Sequence, residues 1–179
     1  MLIGNDVIDL SLKKDLFREF KSKRLNQKIF SAQELHLIDH EDDITSLRRW
    51  TMKEAAYKAY QRLYHLKPRY NPHLIDTEIK DKTNGIVKID NQHFYLKTVI
   101  SPDYIYSFVV TTEEYTSISF DSKAHLIKKI GHCLNTDNIS ICKDEYNIPS
   151  ILIDNSIKPI SITHHGSYNF AVMTAGLDC

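Results

Sequence analysis

Residues 50–60 read WTMKEAAYKAY, the centre of a segment from about Ile44 to Leu66 with helical periodicity. At about 100° per residue, Met52, Ala55, Ala56, Ala59 and Leu63 form one apolar stripe. Trp50, Tyr57, Tyr60 and Tyr64 form a second, aromatic one. Glu54 and Lys58 fall between the stripes, on the line shared with Leu47 and Thr51. Two readings of that charged pair stay open. One is an exposed i,i+4 pair contributing about 0.2–0.5 kcal/mol. The other is a partly buried carboxylate whose charge is balanced by a metal or a phosphate-bearing partner.

Working outward, Lys67-Pro68-Arg69 and Asn71-Pro72 break the helix. The texture then changes to strands: LIDTEIK, GIVKID, HFYLKTVI and YIYSFVVTT, rich in β-branched and aromatic residues, are separated by the turns DKTNG, DNQ and SPD. Upstream, Ser31 to Glu34 (SAQE) is a capping box that opens another helix. Residues 11–25 read as a basic helix, and residues 2–8 as a short buried strand ending near two acids. Downstream, Ser122 to Leu134 returns to helical spacing, followed by strands near 139–143, 150–153, 158–163 and 168–174. Helix followed by sheet therefore occurs twice, which predicts an α+β fold of two lobes, residues 1–115 and 116–179.

Bulk properties narrow the classes. The 179 residues carry 23 Lys+Arg and 23 Asp+Glu, so zero net charge gives no case for a bulk nucleic-acid binder. Charge is nevertheless uneven. Lys13, Lys14, Arg18, Lys21, Lys23, Arg24 and Lys28 crowd one segment, as a solvated helix face or a docking surface for an acidic partner, ahead of the acidic Glu41, Asp42 and Asp43. Cys133, Cys142 and Cys179 are scattered and lack CxxC spacing, so neither a disulfide framework nor a thiolate zinc site is expected. Acids at Asp6 and Asp9 interrupt any signal-like apolar run, and no window approaches a membrane span. A reduced, cytoplasmic protein with no membrane partner is the expectation.

Two further stretches carry chemistry. In IGNDVIDL (residues 3–10), Gly4 lets the backbone pass close to something, and Asp6 and Asp9 follow a strand expected to end at a cleft. Both acids could be caps. They could equally hold magnesium, which takes one or two carboxylates together with waters and phosphate oxygens. In SITHHGSYNFAV (residues 161–172), Thr163, His164, Gly166 and Ser167 offer hydroxyls, an imidazole and bare backbone on a turn between strands. That set suits phosphate or ribose contacts, although a histidine there can also be structural.

Taken together, Gly4-Asn5-Asp6, the Trp-x-x-Lys-Glu-Ala-x-x-Lys helix from Trp50 to Lys58, and Ser161-Ile162-Thr163-His164 resemble the 4′-phosphopantetheinyl transferase superfamily. Residues 24–35 (RLNQKIFSAQEL) also resemble the segment between the first two motifs in its short, holo-acyl-carrier-protein-synthase type. The resemblance implies two pseudo-symmetric lobes, each a small antiparallel sheet packed with a long helix. It implies transfer of the phosphopantetheine arm of coenzyme A to a serine of an acidic acyl or peptidyl carrier protein, with Mg2+ as cofactor. By motif, Asp6 and Glu54 would bind the metal, Glu54 and Lys58 would be catalytic, and Lys53, Ser161, Thr163, His164 and Lys123 would contact coenzyme A.

The order of the segments departs from the family. HFYLKTVISPDYIYSFVVTT resembles the closing strands of the longer, surfactin-synthetase type, whereas the part from Ser122 onward resembles its opening half. Circularly permuted lobes are therefore expected, in a monomer with neighbouring termini and one site between the lobes. Ile8 stands where the long type has an acid, leaving Asp9 or water as a third metal ligand. Asn147-Ile148 replace a Gly-Lys or Gly-Arg, so Lys123 or Lys128 is expected to supply the missing cation. The alternative is a non-catalytic member that binds coenzyme A or a carrier protein, although a mere binder has no use for the base.

Overall fold

The computed structural model describes residues 2–12, 22–111 and 115–174. Strand β1 (Asn5–Asp9) leads through a short 3-10 turn toward helices α1 (Lys23–Ile29) and α2 (Ala32–Ile38). The capping box forms as expected: the Ser31 hydroxyl accepts from the Glu34 amide, and the Glu34 carboxylate accepts from the Ser31 amide. Helix α3 (Asp43–Tyr64) starts at Asp42, whose carboxylate caps Thr45, and stops at His65 in a left-handed conformation. Strands β2 (Asp76–Ile79), β3 (Asn84–Ile89), β4 (Gln92–Ile100) and β5 (Tyr104–Val109) follow as an antiparallel meander. Strand β6 (Tyr115–Ser119), helix α4 (Lys123–Leu134), β7 (Ile139–Lys143), β8 (Pro149–Ile153), β9 (Ser156–His165) and β10 (Tyr168–Thr174) complete the chain.

The two halves repeat one topology. The first sheet runs β1-β5-β4-β3-β2 and the second β6-β10-β9-β8-β7, so each half enters by an edge strand, crosses over a helix and closes beside its first strand. The fold is therefore α+β, with two five-stranded antiparallel sheets. In the first half Met52, Ala55, Ala56 and Ala59 pack on Val87, Ile89, Phe94, Leu96 and Val109. In the second, Leu126 and Ile130 pack on Ile118, Ile151, Ile153, Ile160, Ala171 and Met173. An aromatic seam joins the halves, where Tyr106 stacks on Phe170 with ring centroids 4.4 Å apart.

Gly4 has a specific task. A Cβ there would lie 2.0 Å from the Ala55 carbonyl oxygen and 2.8 Å from the Ala59 nitrogen. What the backbone passes closely is thus helix α3, and small residues on both sides permit the approach. Asp6, two residues on, is carried by this packing to the turn that bears Glu54 and Lys58.

Three expectations need correction. Strand β6 went unrecognised because YTSIS is too polar to read as a strand; it is an edge strand, and its Ser117 hydroxyl pairs with that of Tyr106 at 2.9 Å. Ser161 to His165 are not a turn but the end of β9, and Gly166 and Ser167 make the turn, with Gly166 at φ +53°. Cys133 is disulfide-bonded, while Cys142 is exposed and free, so scattered spacing did not exclude a bridge. Of the basic run, Lys13, Lys14, Arg18 and Lys21 lie outside the described residues, whereas Lys23, Arg24 and Lys28 are exposed on α1. Met1 and residues 175–179, and with them the expected closeness of the termini, also lie outside. Among the described residues, no helix is long and apolar enough to cross a membrane.

Candidate functional site

Strand β9 of the second sheet lies against β1 of the first. The Asn5 amide donates to the Ser161 hydroxyl (3.2 Å), and the Thr163 hydroxyl donates to Asp6 Oδ1 (3.0 Å). From the other side, Lys58 Nζ donates to the same Asp6 oxygen (3.2 Å) and to the Asn5 carbonyl (2.8 Å). Asp6, Lys58 and Thr163, more than 100 residues apart at the extremes, therefore meet within one chain. Ser161 and Thr163 are buried, and His164 is exposed.

Glu54 sits one helical turn before Lys58, half-buried between the two stripes. Burial and, next, the charge of Asp6 push its carboxyl up from 4.5 to about 7, against the opposing pull of Lys58 and hydrogen bonds from Trp50 and Tyr70. Leu47 and Thr51, on the same line of the helix, are fully buried. The line is thus core at its start and cleft from Glu54 onward.

The cleft has two connected parts. A cavity of about 290 Å3 is lined by Asp6, Trp50, Glu54, Thr163 and His165, and a second of about 410 Å3 by Arg62, Lys123, Lys143 and Asn147; both touch Lys58, Ile162 and His164. One end is acidic and the other basic, with Lys58 and His164 at the junction. Such a gradient suits a ligand that presents phosphates to a cation at one end and to lysine and arginine at the other.

Several expected residues stand elsewhere. Lys53 does not reach the cleft: it is fully buried, paired with Glu34 and donating to the carbonyls of Ile29 (2.8 Å) and Pro72 (2.9 Å). One position of helix rotation separates it from Glu54, and that suffices to turn it into the core. Asp9 is also spent. Its Oδ1 accepts from the Ser11 amide (2.8 Å) and its Oδ2 from the Ser167 amide (2.9 Å), so it latches β1 to the Gly166 turn. Three residues beyond Asp6 on a strand, it points to the opposite face. Lys128 lines a separate cavity beside β6 and α4. Lys123 lines the cleft, its ammonium donating to the Ile141 carbonyl at 3.4 Å.

Sequence reasoning missed Arg62, which spans the lobes by donating to the carbonyls of Pro149 and Ile160, each at 2.7 Å. Desolvation lowers its guanidinium to about 10, still charged at neutral pH. Its place four residues after Lys58 on the same helical line was a readable signal.

For a metal, the described residues contain no cluster of three or more His, Cys, Asp or Glu. Two hard carboxylates, Asp6 and Glu54, border one cavity, where burial and then the charge of Asp6 raise the carboxyl of Glu54. That donor set fits magnesium, which completes its shell with water and substrate phosphate.

No curated protein and no solved structure matches the chain. The family model of the 4′-phosphopantetheinyl transferase superfamily matches residues 2–115, the part that bears Asp6, Glu54 and Lys58. With more than half of its length matched, and with those residues gathered at one cleft, the chain belongs to the 4′-phosphopantetheinyl transferase superfamily.

Proposed function

We propose that the protein moves the 4′-phosphopantetheine arm of coenzyme A to a serine of an acidic acyl or peptidyl carrier protein, leaving 3′,5′-ADP. One observation carries this most: Thr163 and Lys58, from opposite halves of one chain, converge on Asp6 beside Glu54. A permuted monomer, with lobes 1–115 and 116–179, then contains a complete site without a second subunit.

The serine oxygen forms a bond to the phosphorus that bears the arm, and the bond from that phosphorus to the ADP oxygen breaks. Glu54 takes the serine proton, directly or through a water. Lys58 neutralises charge on the transferring phosphate or gives a proton to the departing oxygen. Thr163 and His164, with Lys123 and Arg62 further along, hold the nucleotide end. Asp6 and Glu54 would hold magnesium, which would supply charge neutralisation for the pyrophosphate. The exposed cations Lys23, Arg24 and Lys28 favour encounter with an acidic carrier. Use of coenzyme A and a carrier protein would favour a cytoplasmic setting.

Incubation with coenzyme A, Mg2+ and an apo-carrier protein, read by mass spectrometry, is the test. Addition of the arm to the carrier is the expected result. Coenzyme-A binding without modification of any carrier tested would instead identify a non-catalytic binder.

A further inference from the structure

Beyond the end of helix α3, the chain doubles back along that helix and is fastened to it twice. The Tyr57 hydroxyl accepts from the Arg69 amide at 2.5 Å, and Lys53 Nζ donates to the Pro72 carbonyl at 2.9 Å. Tyr70 lies between these anchors, and Lys53 and Tyr57 flank Glu54 on the helix. The Tyr70 ring packs on that of Tyr57, with centroids 5.0 Å apart and planes tilted by 54°. Its hydroxyl is buried and closes no short, well-aligned hydrogen bond, while the Glu54 carboxyl stands near enough to pair with it. Glu54 and Asp6 are the acids nearest it in effect: after burial, their charges are the largest influences that keep the phenol protonated.

A buried hydroxyl whose hydrogen bond is not fully closed forfeits part of the about 1–3 kcal/mol that a satisfied one recovers, so its presence calls for a use. Catalytic hydrogen bonds are often long before substrate arrives and tighten in the complex. We propose that Tyr70 is the positioning residue of Glu54: held over the helix by the Lys53 and Tyr57 anchors, its hydroxyl donates to the carboxylate and keeps it turned into the cleft. The proposal rests on the roles assigned to Glu54 above. It also gives the buried Lys53 a task, since the lysine fixes the loop that carries Tyr70.

Tyr70→Phe keeps the ring and its packing and removes only the hydroxyl. In the full chain, kcat falls about 10-fold or more with KM for coenzyme A unchanged, and calorimetric Mg2+ affinity drops by a similar factor. A double-mutant cycle with Glu54→Ala, scored by urea unfolding in chelator, reads the contact without metal or turnover. Non-additive effects support the pairing. Additive effects, an unchanged Mg2+ affinity, or a rise in KM alone would overturn it. Should the unmodified protein transfer no arm while the cycle shows coupling, the assigned function fails and the Tyr70–Glu54 pairing stands.

Discussion

Lys53 and Lys58 lie five residues apart on one helix and have opposite fates. Lys53 is sealed in the core, with Glu34 and two carbonyls satisfying its ammonium. Glu34 is held in turn by Thr77, through the amide and hydroxyl, and Arg49 ties Thr77 to Glu41. Lys58 keeps part of its side chain open to the cleft, where it meets Asp6. A buried, fully paired charge fixes a conformation, whereas a charge with a free side can respond to what binds. The same residue type therefore builds the scaffold at one position and serves the site at the other.

Removing each lysine should break the comparison along different axes. Lys53→Ala leaves Glu34 buried and unpaired, which costs about 3–5 kcal/mol, to be read in chemical unfolding. Lys58→Ala should shift stability by less than about 1 kcal/mol. Its kcat for carrier modification should fall about 100-fold or more. A stable Lys53→Ala protein, or a fully active Lys58→Ala protein, would erase the contrast.

Asp9 sharpens the same point among the acids. Asp9→Ala should destabilise the chain by about 1–3 kcal/mol, because the amides of Ser11 and Ser167 lose their acceptor. Mg2+ affinity, measured by calorimetry, should hardly change. Gly166 shares this latch, since a Cβ there would stand 2.2 Å from Asp9 Oδ2.

A pH dependence reads the same site without changing a residue. The folded carboxyl of Glu54 is raised from 4.5 to about 7, so between those values the folded state holds more proton than the unfolded state. Its contribution to metal-free stability is present below the lower value and is lost as pH rises through about 7. Stabilisation by Mg2+, which competes with that proton, should grow over the same window. Thermal unfolding with and without Mg2+ measures both trends, and Glu54→Gln should flatten them while abolishing transfer.

Much of this was legible in the chain. Clear breakers bounded helix α3 and the four-strand meander, apolar period gave helix α4, and spacing gave the Ser31–Glu34 capping box, because each is a local pattern that packing reinforced. Strand β6 was not legible: its two apolar residues, Tyr115 and Ile118, fall on opposite faces among Thr and Ser, and only pairing with β10 makes it a strand. Arg62 and Tyr70 were missed for another reason, since their partners are distant backbone and side chains.

By itself the sequence determined which elements form and which residue types stood ready: acids after the first strand, Glu and Lys one helical turn apart, hydroxyls and histidine ahead of Gly166. Only the tertiary structure decided their roles. Periodicity gives the direction of a side chain around its own axis but not what lies opposite. Close packing of Gly4 on Ala55 and Ala59, and of β9 on β1, sent Asp6 to the cleft and Asp9 to a latch, and separated Lys58 from Lys53.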